Sequence, residues 1–526
     1  MKVLISDKLS QQGKEILQRR GVQFDEKTEL KPEQLKEIIG QYDGIIIRSG
    51  TKLTKDLLEK PGQLKAIARA GVGVDNVDVP AATEKGIVVM NTPGGNTVST
   101  AELTFSMLLA LSRKIPQACE SLRKGEWKRS KFAGVEVRDK VLGVVGLGRI
   151  GAQLCQYAKG FGMRVLGYDP YVSAERAQQI GVEMVDLDQL LAQSDYVSVH
   201  TPLTSETKNL LGKDAIAKMK AGACIINCAR GGIVDEEALA EALQSGKLGG
   251  AAIDVWSQEP PAGNRLLQLE NVVGTPHLGA STKEAQDNVA LEAAELMADF
   301  LLQGKVKNAV NVPSFDEKLL QQLRPYIFLS EKLGSLAAQM LKGNLKSLEV
   351  AYSGELEQFD VAPLTIGMLK GFLGHVLEGD VNEVNAVSKA KERGIHVIES
   401  KTSKSEDFAA LVKVTAKSDA EEISVAGTVF GKRNDPRIVR VNDFHVDAVP
   451  TGSLIIIMNW DRPGAIGKIG TTLGKNNVNI ADMTLGRKKA RESAVVVLNI
   501  DGEIPEKVVG ELKQLPEVID VKVVHL

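Results

Sequence analysis

Short apolar runs alternate with polar, helix-prone stretches through the first 300 residues. The runs KVLIS, GIIIRS, LKAIARA and IVVMN, with a polar helical stretch at 34–40, predict a parallel α/β sheet. Each run closes on a small-residue loop: Arg48-Ser49-Gly50, Gly71-Val72-Gly73-Val74-Asp75 and Pro93-Gly94-Gly95-Asn96-Thr97. Ligands of open α/β sheets sit beyond the carboxyl ends of the strands, so the three loops are candidates for one cleft. An apolar-periodic stretch then predicts a helix over 97–112. From Val141 a second series follows, VLGVVG, RVLGYD, DYVSVH, ACIINCA, GAAIDVW and VVGTPH, and predicts a second doubly wound sheet.

A further helix over 282–304 is long enough to return the chain to the first lobe. The expected organisation is a lobe of 1–97 with 283–310 and a nucleotide lobe of 98–282. Near 308–313 the alternation stops. Residues 311–450 read as mixed α+β, with helices at 318–341 and 381–393, a hairpin within 423–444, and a basic turn bearing Lys432 and Arg433. From 452 to 526 the order is strand, helix, strand, strand, helix, strand, the ferredoxin-like split βαβ.

Composition narrows the class without naming it. A chain of 526 residues exceeds a single core. With 43% hydrophobic and 25% charged residues it is neither disordered nor fibrous. A net charge of −2 supplies no global field for nucleic acid or anionic membrane, so neither is an expected partner. No apolar stretch reaches membrane length and the amino terminus meets charge early, which gives the expectation of a cytoplasmic protein. Four cysteines form no metal-ligand spacing, and Cys224 and Cys228 fit small core positions in a strand-like run. No metal site is expected.

The chemistry gathers at the strand ends of the second lobe. Gly146-Leu147-Gly148-Arg149-Ile150-Gly151 follows the strand at 141–145 and opens a helix, the context in which a G-x-G-x-x-G binds a dinucleotide. Its glycines turn the chain, admit a pyrophosphate to free backbone N–H groups, and let the helix pack close. The next strand ends in Asp169, placed to accept a ribose 2′-hydroxyl and to repel a 2′-phosphate. NAD is therefore expected over NADP. The remaining strands end in His200-Thr201, Cys228-Ala229-Arg230, Asp254 and Thr275-Pro276-His277. Hydride transfer on a hydroxy acid requires a cation for the carboxylate and a proton-exchanging group. Arg230 supplies the first. His277, with Glu259 between proline-rich turns as its partner, or else His200, supplies the second.

These segments, the G-x-G-x-x-G with NCARGGIVDE, SQEPP and TPHLGAST, together resemble the D-isomer-specific 2-hydroxyacid dehydrogenases over residues 1–310. The resemblance implies a catalytic set of Arg230, Glu259 and His277. It implies NAD contacts at Gly146, Gly148, Arg149, Ile150, Gly151, Asp169, Thr201, Cys228, Ala229, Arg230, Asp254, His277, Leu278, Gly279 and Ala280. The layout with an intervening and an ACT-like unit is similar to the long, phosphoglycerate-oxidising members. That similarity implies 3-phosphoglycerate as substrate, contacted by Arg48, Ser49, Gly73, Asn96 and, across the interface of a homodimer or homotetramer, Arg129. In the ACT-like unit Asn459, Asp461 and Asn479 match positions that hold L-serine as effector between paired modules. Oxidation of another 2-hydroxy acid of the glycerate or glyoxylate type, and an NADH-sensing scaffold, remain the competing expectations.

Overall fold

The computed structural model describes residues 1–313, 315, 317–377, 381–404, 407–431, 433–489 and 492–526. Lys432 of the basic turn lies outside them. The first sheet comprises β1 Lys2–Ile5, β2 Gln23–Glu26, β3 Gly44–Ile47, β4 Ala66–Arg69 and β5 Val88–Asn91. All pairings are parallel, in the order β2-β1-β3-β4-β5. This is the flavodoxin-like arrangement, whose order reverses beside β1 and opens a crevice there. β2 carries the polar sequence QFDE and gives no apolar signal; pairing with β1, rather than its own composition, makes it a strand.

The helix Thr97–Ser112 leaves this lobe and leads to the second sheet. Its strands are β6 Val141–Val145, β7 Arg164–Tyr168, β8 Glu183–Met184, β9 Tyr196–Val199, β10 Ala223–Asn227, β11 Leu248–Ile253 and β12 Val272–Gly274. They are parallel throughout, in the order β12-β11-β10-β9-β6-β7-β8. The order reverses between β6 and β9, so Gly146 and His200 face each other across the switch point. The helix Lys283–Gln303 returns to the first lobe: Val289, Ala293, Ala294, Met297 and Leu301 share one core with Val3, Ile5, Ala68 and Met90.

Beyond residue 316 the architecture changes. A six-stranded sheet, β14-β13-β15-β16-β17-β18, is built from β13 Leu345–Gly354, β14 His396–Thr402, β15 Ala410–Ser418, β16 Glu422–Phe430, β17 Asp435–Val441 and β18 Phe444–Ala448. Only the β13–β14 pair is parallel. The helices Glu317–Met340 and Ala362–Val376 pack with it. The helix expected at 381–393 is shorter, Ala386–Glu392. Ahead of it the Asn382 Oδ1 accepts from the Val384 and Asn385 N–H groups, and Asn385 Oδ1 accepts from the Asn382 N–H. Asparagine side chains there replace the first turn of helix with a turn of their own.

The last sheet, β20-β21-β19-β22, is antiparallel and comprises β19 Ser453–Trp460, β20 Ile480–Arg487, β21 Ser493–Ile500 and β22 Val518–His525. β20 begins at Ile480 because Asn477, at φ +56°, turns the chain just before it. One face of this sheet, through Ile455, Ile457, Val496 and Leu498, packs on its own helices. The other, through Leu454, Ile456, Val495, Val497 and Val524, is buried in the same core as Leu333, Leu336 and Val350. The terminal unit is thus stacked on the intervening one rather than hung from a linker.

Candidate active site

Gly146 stands at φ +94°, and a Cβ there would come within 2.7 Å of the His200 carbonyl oxygen. At Gly151 a Cβ would lie 2.1 Å from the Gly146 oxygen, so the helix Arg149–Gly160 can approach the turn only without a side chain. Gly148, by contrast, has open space beside it, as a turn that presents its backbone to a pyrophosphate requires. Asp169 reaches back to this turn. Its Oδ2 accepts from the Leu147 N–H at 2.8 Å, and its Oδ1 accepts from the Tyr171 N–H at 2.9 Å. Asp169 and the glycine turn are therefore one hydrogen-bonded assembly.

On the far side of the switch point, Thr201 Oγ1 is buried with no hydrogen-bond partner among the described residues. Cys228 is buried against Met107, and burial pushes its thiol up to about 12. It is a core thiol rather than a nucleophile. His200 bonds Ser198 Oγ through Nε2 at 2.8 Å, and burial pulls its imidazole down to about 4. At neutral pH it is uncharged, and that nitrogen is already occupied.

His277 is differently placed. It sits in the left-handed region at φ +56° on a turn held by Asp254, which is fully buried. Asp254 Oδ1 accepts from Thr275 Oγ1 at 2.6 Å and from the Leu278 N–H at 2.7 Å, and its Oδ2 accepts from the Gly279 N–H at 3.0 Å. The Gly279 carbonyl in turn accepts from Ser99 Oγ and Thr100 Oγ1 of the helix Thr97–Ser112, at 2.7 and 3.0 Å. This scaffold aims the imidazole so that Nδ1 meets Glu259 at 2.9 and 3.1 Å. Glu259 is fixed by the Trp256 N–H, which donates to its Oε1 at 3.1 Å. His277 Nε2 makes no hydrogen bond among the described residues. Glu259 thus lies on His277, the partner expected from the sequence, whereas His200 bonds Ser198.

Arg230 follows β10 and crosses to the other lobe. Its Nε donates to Asp75 Oδ2 at 2.9 Å and its Nη1 to the Ala229 carbonyl at 2.6 Å. Arg48 is anchored through its backbone N–H to Asp7 Oδ2 at 2.6 Å, and its Nη1 donates to the Lys8 carbonyl at 3.3 Å. Ser49 beside it is exposed. Asn96 Oδ1 is buried without a hydrogen-bond partner among the described residues at the start of the helix Thr97–Ser112. Arg69, which sequence reading passed over, belongs to the same cluster. It ends β4, its Nε is buried without a partner, and burial beside Arg230 pulls its guanidinium down to about 10. A cation closing an apolar strand directly before Gly71-Val72-Gly73 was the available signal. Arg129 stands apart in an exposed turn, Arg129–Phe132, with no hydrogen bond or ion pair among the described residues. Two positions away, Trp127 is 79% exposed.

Comparison with known proteins decides the family. Residues 105–279 match the NAD binding domain of D-isomer specific 2-hydroxyacid dehydrogenases, 322–442 the D-3-phosphoglycerate dehydrogenase intervening domain, and 452–517 the ACT domain. D-3-phosphoglycerate dehydrogenase of Methanocaldococcus jannaschii is 45% identical over the full length of both chains. Those of Synechocystis and Bacillus subtilis are 44% and 42% identical over all of this chain and 95% and 99% of theirs. The chain belongs to the D-3-phosphoglycerate dehydrogenase family. It is an oxidoreductase whose cofactor is NAD.

Among solved structures, the TT0316 protein of Thermus thermophilus aligns at TM-score 0.55 and 36% identity over 59% of this chain and all of that one. D-lactate dehydrogenase of Aquifex aeolicus, complexed with NAD and lactic acid, aligns at TM-score 0.52 and 30% identity over 60% of this chain and all of that one.

The three positions expected to hold an effector, Asn459, Asp461 and Asn479, do not all meet within one chain. Asn459 lies opposite Ala494, which pairs with Arg487, whereas Ile480, next to Asn479, pairs with Ile500 at the other end of the sheet. Asn459 Oδ1 is buried without a partner, Asp461 faces Arg487 at 3.5 Å, and Asn479 Nδ2 donates to Asp501 Oδ2 at 2.6 Å.

Proposed function

We propose that the enzyme oxidises 3-phospho-D-glycerate to 3-phosphohydroxypyruvate in the cytoplasm, opening the phosphorylated route to L-serine. The observation that carries this reading is the His277–Glu259 pair at the strand ends of the second lobe, with Arg48, Arg69 and Arg230 gathered close together where the two lobes meet. Arg230 takes the substrate carboxylate and polarises the reacting carbon–oxygen bond. His277 Nε2 removes the hydroxyl proton, and the Glu259 carboxylate on Nδ1 stabilises the imidazolium that results. NAD, held by the glycine turn, Arg149, Ile150, Asp169, Thr201, Cys228, Ala229, Asp254 and the turn 277–280, supplies the hydride acceptor when bound. Arg48 and Arg69, with Ser49, Gly73 and Asn96 lining the cleft, take the phosphate end, and an exposed Arg129 from a paired chain completes the site.

The same reading divides the chain into a substrate domain of 1–97 with 283–310, a nucleotide domain of 98–282, an intervening domain of 311–450 and an ACT domain of 452–526. L-serine is the proposed effector. The unpartnered Asn459 Oδ1 and the separation of Asn459 from Asn479 support a site completed by a second chain. Coupling requires that serine bind the less active state more tightly.

The test is NADH formation at 340 nm with 3-phosphoglycerate, glycerate and lactate, each with and without serine. Efficient turnover of 3-phosphoglycerate alone, reduced by serine, supports the whole proposal. Equal turnover of the unphosphorylated acids would reject the phosphate assignment, and no turnover of any would leave an NADH-binding scaffold.

A further inference from the structure

Three guanidinium groups, those of Arg48, Arg69 and Arg230, converge on one cleft, and like charges at this range repel. Something must hold Arg230 among them before a substrate arrives. Among the described residues its own lobe offers only the Ala229 carbonyl, which takes Nη1. The other lobe offers Asp75, whose Oδ2 accepts from Nε at 2.9 Å. Two hydrogen bonds on two edges define the plane of a guanidinium. Nη2 is left with no hydrogen bond among the described residues, lying against Gly73, where a Cβ would fall 1.8 Å from it and 2.6 Å from Asp75 Oδ2. Glycine at 73 is what leaves room for the pair.

The loop that presents Asp75 is itself anchored on both sides. Asn91 Nδ2 donates to the Val72 carbonyl at 2.5 Å. Asn76 Nδ2 donates to the Arg48 and Thr51 carbonyls at 2.7 and 2.6 Å. Asp75 therefore connects Arg230 to a frame that also fixes the backbone of Arg48. With the Asp75 side chain 68% exposed and that of Arg230 29%, the ion pair contributes little to stability, so its value lies in orientation rather than in holding the fold.

We infer that Asp75 is a positioning residue for Arg230: reaching across the inter-lobe cleft, it fixes the guanidinium so that its free Nη2 edge faces the place where the substrate carboxylate binds. This rests on the proposed carboxylate role of Arg230.

The test compares Asp75→Asn, Asp75→Glu and Arg230→Gln in the full chain. It measures kcat and KM for 3-phosphoglycerate at saturating NAD, and NADH affinity by fluorescence. Asp75→Asn removes the charge and keeps the shape. It is expected to raise KM about tenfold or more with a smaller change in kcat and unchanged NADH affinity, and Asp75→Glu is expected to recover part of the loss. An unchanged KM, or a parallel loss of NADH affinity, overturns the inference. So does a lowered KM, which would make Asp75 a competitor of the substrate. If Arg230→Gln leaves KM intact, the role of Arg230 fails and this inference with it; if Arg230→Gln raises KM while Asp75→Asn does not, Asp75 alone is excluded.

Discussion

Replacing Asp254 by Asn tests how the turn that carries His277 is held. The carboxylate accepts three hydrogen bonds in a site with no exposure, two of them from the backbone N–H groups of Leu278 and Gly279. An amide has one accepting oxygen. If its NH2 faces Gly279, that N–H is orphaned and meets a second donor; if the amide is flipped, Leu278 is orphaned instead, although the Thr275 hydroxyl can turn to accept. Each orientation leaves one buried donor unsatisfied and weakens the remaining charge-assisted bonds, a cost of about 2–4 kcal/mol. The turn also carries His277 at φ +56°, a conformation that costs a non-glycine residue roughly 1–2 kcal/mol and persists only while its surroundings enforce it.

The loss should therefore appear locally, as faster opening of this turn. In the cofactor-free protein, hydrogen exchange followed by mass spectrometry should show the peptide containing Leu278 and Gly279 exchanging about 30-fold to 1000-fold faster, the factor that 2–4 kcal/mol corresponds to. Peptides from the first and last sheets should be unchanged. Omitting NAD separates the hydrogen bonds from any cofactor contact of Asp254. Wild-type protection in that peptide would refute the argument that Asp254 holds the turn.

Three further outcomes are expected. His277→Ala should lower kcat by about 10²–10⁴-fold while leaving NADH affinity nearly intact, and His200→Ala should not reproduce that loss; the reverse pattern in steady-state kinetics would move the proton transfer to His200. The kcat/KM for NAD should exceed that for NADP, and Asp169→Ala should narrow the gap, because a carboxylate beside a 2′-phosphate sets like charges together; equal wild-type values would reject the assignment of Asp169. Burial raises the thiols of Cys155, Cys224 and Cys228 to about 12, 11 and 12, while Cys119 is exposed, so an Ellman titration of the native protein should show one fast-reacting thiol. Several fast thiols would contradict the buried placement.

Much of this molecule is written in local pattern. The two parallel sheets, the helix Thr97–Ser112 and the terminal βαββαβ unit follow from apolar runs of strand length and from glycines at their ends, because burial on both faces demands continuous apolar sequence. The strand-end residues could be named for the same reason: in a parallel sheet every strand delivers its last residue to one edge. Where side-chain hydrogen bonds or pairing outweighed periodicity, the pattern misled. The asparagine turn before Ala386 shortened a helix, and the polar β2 became a strand through its neighbour.

Tertiary structure alone decided the partnerships. Arg230 lies far along the chain from Arg69 and Asp75 and meets them only because two lobes face each other, and the choice of His277 over His200 as the imidazole that pairs with a carboxylate depends on how two loops fold together. The apolar outer face of the last sheet reads in sequence as ordinary strand; that it is buried against the helix Glu317–Met340 depends on how two units stack. Sequence periodicity reports which face of an element seeks burial. It carries no information on which distant face will cover it, because that choice is made by the shape and charge of surfaces that exist only once the chain has folded.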